Sequence, residues 1–222
     1  MSATELSTLY RTRFGASGLE KRLKVWATLN DGFFARLIPA TADVLELACG
    51  YGEFISTVTA ARKYAVDLNP DAASHLPADV TFINQPADDL SFLGAGSVDV
   101  VFTSNFLEHL PDKEVLSRVF AEVRRVLRPG GKFIVLGPNI RFAYREYWDF
   151  YDHHLPLSDR SLAEGLAATG FTIQRSIPQF LPFTMAGNTP AHPWLIRAYL
   201  ALPMAWKVMG KQFLVVATRP KD

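Results

Sequence analysis

Residues 44–54, VLELACGYGEF, combine an apolar run, one acid and two glycines in a way suited to binding a small ligand. Glycines at a turn between a strand and a helix let the backbone approach a ligand and direct its N–H groups toward it. Dinucleotide phosphates are one such ligand, but their G-x-G-x-x-G fingerprint, begun at Gly50 and Gly52, requires a third glycine where this sequence has Ile55. Glu46 would also repel a pyrophosphate, whereas it suits a ligand that carries a positive charge.

A second acid, Asp67, ends the next apolar run in AVDLNP. An acid at that position of a nucleotide-binding fold can accept hydrogen bonds from both hydroxyls of a ribose, although it could instead cap the following helix. A ribose acceptor together with an acidic glycine turn predicts a cationic nucleoside. S-adenosylmethionine fits, because its sulfonium and α-amino groups are positive and it has no phosphate. Glu46 supports the same prediction, since an unpaired carboxylate buried in a strand is costly.

Adjacent histidines, His153 and His154, lie among acids and aromatic residues in the stretch 144–162, YREYWDFYDHHLPLSDRSL. We predict a catalytic or acceptor-binding role for at least one of them, because titratable groups beyond the end of a strand are suited to proton transfer. The alternative is that they anchor the start of a helix that Ser158 caps. Adjacent histidines without a third well-spaced ligand are a weak signal for a metal ion, so we predict no metal site.

The elements that must position these residues alternate along the chain. Short apolar or β-branched runs predict seven buried strands: Val44–Leu47, Tyr64–Val66, Val80–Ile83, Val98–Thr103, Phe133–Leu136, Phe171–Ile177 and Phe213–Ala217. Apolar residues at helical spacing predict a helix over Asp112–Leu127, which Arg128–Gly131 ends. Glu108 and His109, ahead of that helix, are interpreted as packing or capping residues. Strands that alternate with helices indicate a parallel sheet, in which ligands bind at the carboxyl ends of the strands.

Across residues 41–138 the sequence resembles the class I S-adenosylmethionine-dependent methyltransferases. VLELACGYGEF resembles the glycine motif of that family, VDLNP its ribose-binding acid, VDVVFTSNFLEHLPD its fourth strand with the following helix, and VLRPGGKFIVLGPN its helix-turn-strand close. The four motifs occur in the order and spacing of the family. The resemblance implies a Rossmann-like, doubly wound α/β sheet of about seven strands, mostly parallel with an antiparallel last strand, and with helices on both faces.

The same resemblance implies which residues hold the cofactor. Glu46, Gly50 and Gly52 would surround its methionine end, Asp67 and Leu68 its ribose, and Ser104, Asn105 and Phe106 would form the wall beneath the sulfonium. The sequence departs from the family pattern at two places: Ala48 replaces the first glycine of the turn, and Pro86 stands where the family often has an acid for the adenine amine. We therefore assign the adenine contact to the backbone of Ala87 and to Asp88.

Composition narrows the class of protein and of partner. The chain has 222 residues, with 23 lysines and arginines against 22 aspartates and glutamates. Because this even balance gives no basic stripe, we predict no nucleic-acid partner. The length fits a single α/β domain with its own core. The one cysteine, Cys49, excludes an internal disulfide, and the N-terminal residues lack the apolar region of a secretory signal. We therefore predict a cytoplasmic protein.

We divide the predicted domain, residues 1–222, into an N-terminal helical cap (1–40), a cofactor-binding core (41–177), an insertion or cap (178–210) and a last strand (211–222). The insertion is rich in proline, aromatic residues and methionine, and loops of this length are usually functional. Its residues 194–210 are too short to span a membrane but could contact a membrane surface peripherally. A helix packed on the sheet edge or a homodimer interface is an equal alternative.

We predict an enzyme that transfers a methyl group from S-adenosylmethionine to an oxygen or nitrogen of a small-molecule, sugar or lipid-linked acceptor. Displacement from a sulfonium releases a neutral leaving group, so alignment can supply most of the acceleration, and a base is needed only if the acceptor must lose a proton. A non-catalytic S-adenosylmethionine-binding module and a nicotinamide-dependent oxidoreductase are the alternatives. The oxidoreductase would need the glycine that Ile55 replaces.

Overall fold

The computed structural model describes residues 18–183 and 192–221. Its strands are β1 (Asp43–Leu47), β2 (Arg62–Val66), β3 (Val80–Ile83), β4 (Val98–Ser104), β5 (Leu127–Pro138), β6 (Thr172–Leu181) and β7 (Gln212–Thr218). Its helices are α1 (Leu19–Gly32), α2 (Glu53–Thr57), α3 (Lys113–Val126), α4 (Ile140–Ala143), α5 (Asp159–Ala168), α6 (Pro193–Ala201) and α7 (Pro203–Met209). Each predicted strand overlaps an observed one. Residues 1–17 of the predicted N-terminal cap lie outside the described residues, and α1 occupies much of the remainder.

The strands form one sheet in the order β3-β2-β1-β4-β5-β7-β6. The chain runs from β1 outward through β2 to β3. β7 is antiparallel to both of its neighbours, whereas the β1–β2, β2–β3 and β4–β5 pairs are parallel. The predicted α/β sheet of seven strands with an antiparallel last strand is confirmed.

The chain divides into two compact units, Met1–Pro86 with Thr184–Pro203 and Ala87–Phe183 with Met204–Asp222. In the first unit, every residue of β1 is buried, which is typical of a parallel strand inside a sheet. α1 packs against α2 through Trp26, whose ring meets that of Phe54 edge to face with centroids 5.8 Å apart. The prediction of a single domain with four segments stays a prediction.

In the second unit, α3 carries an apolar face and begins at a capping residue. The carboxylate of Asp112 accepts a hydrogen bond from the backbone N–H of Val115 at 2.8 Å, which satisfies one of the free donors at the helix start. The buried side chains recur at helical spacing: Leu116, Val119, Phe120, Val123 and Val126. The predicted helix over Asp112–Leu127 is therefore present, with ends one residue shorter on each side.

β5 and β6 extend further past their predicted ends than the other strands do. Arg128–Gly131 lies within β5: Val98 faces Leu127 but Val100 faces Lys132, so the residues between them bulge out of the ladder. β6 continues to Leu181, past the predicted boundary at 178 of the insertion. Pro178 hides this continuation in the sequence, and β6 tolerates a proline because it is the edge strand of the sheet.

The remainder of the predicted insertion contains α6 and α7, while residues 184–191 lie outside the described residues. Trp206 anchors α7, since its ring meets that of the buried Phe180 at 5.1 Å. Several apolar side chains of this segment are exposed instead: Trp194, Leu202, Met204, Val208 and Met209. Within the described ranges no helix is long and apolar enough to cross a membrane.

Candidate functional site

The glycine turn follows β1 in the first unit and has the conformation that its glycines permit. Gly50 has φ +56° and Gly52 has φ +73°, in the left-handed region that favours glycine. A Cβ on Gly52 would also require the side chain of Leu76 to move. Ala48, which replaces the first glycine of the motif, adopts φ +52°. A non-glycine residue in this region costs roughly 1–2 kcal/mol.

Glu46 lies in β1 with 4% of its surface exposed. Its Oε2 accepts a hydrogen bond from the backbone N–H of Ile55, in the first turn of α2, at 3.0 Å. Burial raises the pKa of Glu46 well above its ordinary value, which the Ile55 hydrogen bond only partly offsets. Glu46 thus has a structural partner that the sequence did not reveal, and its negative charge is costly until a positive group approaches it.

Asp67 follows β2 and joins the glycine turn to the next segment. Its Oδ2 accepts from the N–H of Gly50 at 2.8 Å and its Oδ1 accepts from the N–H of Asn69 at 2.7 Å. Each carboxylate oxygen can accept a second hydrogen bond. The two oxygens together could therefore accept one hydrogen bond from each of two ribose hydroxyls. Burial raises the pKa of Asp67, against the backbone hydrogen bonds that lower it.

Capping of the segment after β2 belongs to Asn69 and not to Asp67. The side chain of Asn69 accepts a hydrogen bond from the N–H of Asp71 at 3.1 Å at the start of the 3-10 helix Pro70–His75. The capping alternative for Asp67 is therefore wrong, which leaves its carboxylate for the turn and for a ligand. Leu68, beside it, is 53% exposed, as a side chain available to a ligand would be.

The residues assigned to the adenine and the sulfonium lie in the second unit. Ala87 is buried, and Asp88 forms an ion pair with Arg118 of α3, with Oδ2 3.1 Å from Nε. Asn105 follows the end of β4 with φ +50°, a conformation that asparagine tolerates better than most residues. Its N–H donates to the carbonyl of Leu136 at 2.9 Å, which fixes this turn against β5. The ligand contacts of these residues, and of Ser104 and Phe106, stay predictions.

The predicted catalytic His153 lies in a cluster of the second unit that the sequence did not indicate. Glu108 and His109 belong to the 3-10 turn Leu107–His109 after β4. One atom able to bind a metal on each of Glu108, His109 and His153 lies within 4.8 Å of the other two. The N–H groups of His154 and Leu155 both donate to the carbonyl of Glu108, at 2.8 and 3.0 Å. The two segments that carry the cluster are thus fastened together.

The electrostatics of this cluster depend on burial and on Asp152. Nδ1 of His109 lies 3.1 Å from Oδ2 of Asp152 and 3.0 Å from its carbonyl oxygen. Burial lowers the pKa of His109, but the hydrogen bond with Asp152 and the charges of Glu108 and Asp152 outweigh it, so the pKa is raised. Burial also raises the pKa of Glu108, which the charge of His109 partly offsets. Asp152 therefore orients the ring of His109.

The two adjacent histidines have different surroundings. The ring of His153 is largely buried, stacked on Phe150 at 4.8 Å between centroids and 4.6 Å from the ring of Tyr147. His154 is exposed. A catalytic role for either residue stays a prediction, and the surroundings of His153 make it the better candidate.

The structure places Glu46 beside the helix that follows the glycine turn and joins Asp67 to that turn, while their binding of the cofactor stays a prediction. It also brings Glu108 and His109 to His153, although the sequence analysis interpreted these two as packing or capping residues. The signal that could have found them is their position: acid and histidine come a few residues after the carboxyl end of a central strand, where ligands of parallel sheets bind.

Comparison with known proteins identifies relatives of this chain. Residues 45–135 match the protein family described as a methyltransferase domain. A probable S-adenosylmethionine-dependent methyltransferase of Mycolicibacterium smegmatis is 31% identical over 70% of this chain and 62% of that protein. A ubiquinone biosynthesis O-methyltransferase of Xanthomonas axonopodis pv. citri is 34% identical over 46% of this chain and 45% of its own length. The chain thus spans between about half and two thirds of the length of these relatives.

A solved structure extends the similarity to nearly the whole fold. An S-adenosylmethionine-dependent methyltransferase from Archaeoglobus fulgidus superposes with a TM-score of 0.68 at 18% identity, over 96% of this chain and 99% of that chain. The matched family region contains the glycine turn, Asp67, the end of β4 and most of β5. The chain therefore belongs to the class I S-adenosylmethionine-dependent methyltransferases, the family whose cofactor is S-adenosylmethionine.

Proposed function

We propose that this chain transfers the methyl group of S-adenosylmethionine to an oxygen or nitrogen atom of a small-molecule, sugar or lipid-linked acceptor. The observation that carries the proposal is the Gly50–Asp67 hydrogen bond of 2.8 Å. This hydrogen bond holds Asp67, the proposed hydrogen-bond acceptor for the ribose hydroxyls, beside the turn that would surround the methionine end of the cofactor. The turn has Ile55 where a dinucleotide fingerprint has glycine, which argues against the oxidoreductase alternative.

The residues of the turn would bind and orient the cofactor. Glu46 offers a buried negative charge to the positive methionine end, and Asp67 offers two acceptor positions to the ribose hydroxyls. When bound, S-adenosylmethionine supplies a methyl group on a positive sulfur that leaves as a neutral thioether. Alignment of the acceptor then provides most of the acceleration. Ala87, Asp88 and the turn Ser104–Phe106 complete the proposed cofactor contacts.

His153 is the proposed base if the acceptor must lose a proton, with the exposed His154 as the alternative. A histidine titrates near neutral pH and can both accept and release that proton. This step applies to a hydroxyl acceptor, for which the name of the Xanthomonas relative, an O-methyltransferase, is the support.

The proposed acceptor is hydrophobic or lipid-linked. The support is the set of exposed apolar side chains in α6, in α7 and between them, which include Trp194 at 61% and Val208 at 84% exposed. Exposed apolar groups of this kind mark sites for lipids, ligands or other proteins. Peripheral membrane contact through residues 194–210 belongs to the same proposal, as does a cytoplasmic location, and a homodimer interface is the competing use of these side chains.

Calorimetric titration with S-adenosylmethionine, S-adenosylhomocysteine and NAD tests the proposal. We expect the first two to bind with micromolar affinity and NAD not to bind. Asp67→Asn should weaken S-adenosylmethionine binding by about 1–3 kcal/mol, or roughly 5- to 150-fold, through loss of charge-assisted hydrogen bonds. Asp71→Asn, four residues along the chain, is the matched control and should bind as the wild type does.

Other outcomes of the titration distinguish the alternatives. Binding of NAD alone would overturn the proposal in favour of an oxidoreductase. Tight binding of S-adenosylmethionine without methyl transfer to any oxygen, nitrogen, sugar or lipid-linked acceptor in a broad screen would favour the non-catalytic module. Equal affinity of the wild type and Asp67→Asn, with thermal unfolding showing both folded, would remove Asp67 from the site.

A further inference from the structure

The cluster after β4 has the composition of a metal site. Glu108, His109 and His153 offer one carboxylate oxygen and two imidazole nitrogens within 4.8 Å of one another. Two histidines and one carboxylate are the protein ligands of a common class of catalytic zinc site, and also of non-haem iron sites with open positions. We propose that these three side chains bind a divalent transition-metal ion, of which Zn²⁺ is the representative.

His109 is held in the tautomer that a metal ligand needs. Two acceptors, the carboxylate and the carbonyl oxygen of Asp152, face its Nδ1 at 3.1 and 3.0 Å. Because both atoms can only accept, Nδ1 carries a proton, and Nε2 is the nitrogen left to bind an ion. A carboxylate that accepts the other ring N–H is the usual support of a metal-bound histidine, so Asp152 is the positioning residue of this site.

The backbone holds the ligands close before any ion binds. Glu108 and His109 are consecutive residues of one 3-10 turn. The segment that carries His153 is fastened to that turn by the two hydrogen bonds from His154 and Leu155 to the carbonyl of Glu108. Separations of up to 4.8 Å are wider than a bound ion requires, so small side-chain rotations close the site around it.

The surroundings of the cluster suit a cation. Glu108 is 4% exposed, and a buried carboxylate is costly unless a positive charge or several donors compensate it. The hydroxyl of Tyr147 is buried and has no hydrogen-bond partner within residues 18–183 and 192–221, although its ring lies 4.6 Å from that of His153. An ion with a bound water would give both groups a partner.

This inference rests on the proposed function for its chemical role. Three protein ligands leave at least one coordination position open, which an acceptor hydroxyl can occupy. In this arrangement His153 is a ligand of the ion and not the base, because the ion withdraws electron density from the acceptor oxygen and its proton is released to solvent at neutral pH. The oxygen lone pair then forms the new bond to the methyl carbon while the carbon–sulfur pair stays with sulfur, so that ROH and the sulfonium give ROCH₃, a thioether and one proton. The substrate class is therefore an oxygen acceptor.

Zinc titration of the chelator-treated full chain tests the site without S-adenosylmethionine. We expect one Zn²⁺ per chain at micromolar affinity or tighter by calorimetry. Asp152→Asn should weaken binding roughly 10- to 100-fold, and Glu108→Gln and His153→Gln should weaken it further, because each removes a ligand. His154→Gln, which removes the neighbouring exposed histidine, is the matched control and should bind Zn²⁺ with wild-type affinity.

The proposal would be overturned if Zn²⁺ binding did not saturate at one ion per chain. It would also be overturned if the ligand variants bound Zn²⁺ with the same affinity as His154→Gln. If a ligand variant does not fold by circular dichroism, the visible spectrum of wild type loaded with Co²⁺ decides: bands of a nitrogen- and oxygen-ligated four- or five-coordinate ion support the site, and the spectrum of hydrated Co²⁺ overturns it. Zn²⁺ binding in a chain that fails to bind S-adenosylmethionine would leave the metal site standing while the proposed function fails.

Discussion

At the scale of single residues, Glu46 shows how a residue proposed to bind the cofactor can cost stability. Its carboxylate is buried in β1 with one hydrogen bond to Ile55 from the described residues. Such a charge is unfavourable in the free protein and favourable once a cationic ligand approaches. Functional sites commonly carry unfavourable features that the remainder of the fold tolerates. Ala48, with its left-handed backbone in the same turn, adds a second such feature.

We expect Glu46→Gln to change the pH dependence of stability. Because burial raises the pKa of Glu46 in the folded chain, its contribution to the free energy of unfolding is greatest below the unfolded-state pKa of about 4 and falls as the pH rises toward the folded pKa. Glutamine keeps an oxygen for the Ile55 N–H but cannot ionise, so the variant should lose less stability than the wild type from about pH 4 to pH 7.

Urea unfolding of the ligand-free chain at a series of pH values measures this effect. Glu164→Gln, at an exposed position of α5, is the control and should follow the wild-type curve. The same Glu46→Gln variant should bind S-adenosylmethionine about 1–3 kcal/mol more weakly. If the free energies of unfolding of the wild type and Glu46→Gln change in parallel with pH, ionisation of Glu46 does not destabilise the folded chain, and the prediction is wrong.

At the scale of elements, α1 is fixed to the helix that begins at the glycine turn. Nε of Arg22 donates to Oε1 of Glu53 at 2.5 Å, and both side chains are less than one fifth exposed. The guanidinium of Arg22 also lies 5.9 Å from the ring centroid of Tyr51 within the turn. The sequence predicts an N-terminal helical cap over residues 1–40, in which α1 lies. The ion pair fixes α1 to the helix that follows the glycine turn.

A double-mutant cycle on Arg22→Gln and Glu53→Gln should therefore show a coupling free energy of about 1–2 kcal/mol in urea unfolding, above that of an exposed pair, since partial burial strengthens the interaction. The pair Lys24–Glu20 on the same helix is 2.6 Å long but exposed on both sides, so its cycle is the control and should show no measurable coupling. Equal coupling in both cycles would mean that the Arg22–Glu53 pair is not effectively buried.

At the scale of the whole molecule, the even charge balance and the exposed apolar side chains support the proposed hydrophobic acceptor over a polyanionic one. We expect the chain to co-sediment with neutral phosphatidylcholine vesicles, and Val208→Glu to reduce the bound fraction severalfold, because a charge replaces an 84% exposed apolar side chain. Ala73→Glu adds the same charge at another exposed position and should bind as the wild type does. Vesicle-independent self-association that Val208→Glu abolishes would favour a homodimer instead.

The sequence by itself determined the sheet, its strands and the cofactor class. Local signals carry these features: apolar runs define the strands, Gly50 and Gly52 permit the left-handed turn, and Asp67 stands at the end of β2. Parallel pairing then brings strand ends to one edge of the sheet. These inferences need only residue type and spacing, which is why they could be made without coordinates.

Only the tertiary structure decided which distant residues meet. Nothing in the local sequence shows that Glu46 accepts from Ile55, or that Glu108 and His109 meet His153 and Asp152. The edge position of β6 likewise explains a strand that continues through Pro178. Such contacts join segments far apart in the chain, and side-chain packing selects them. Spacing rules, which describe neighbours along one helix or strand, cannot predict them.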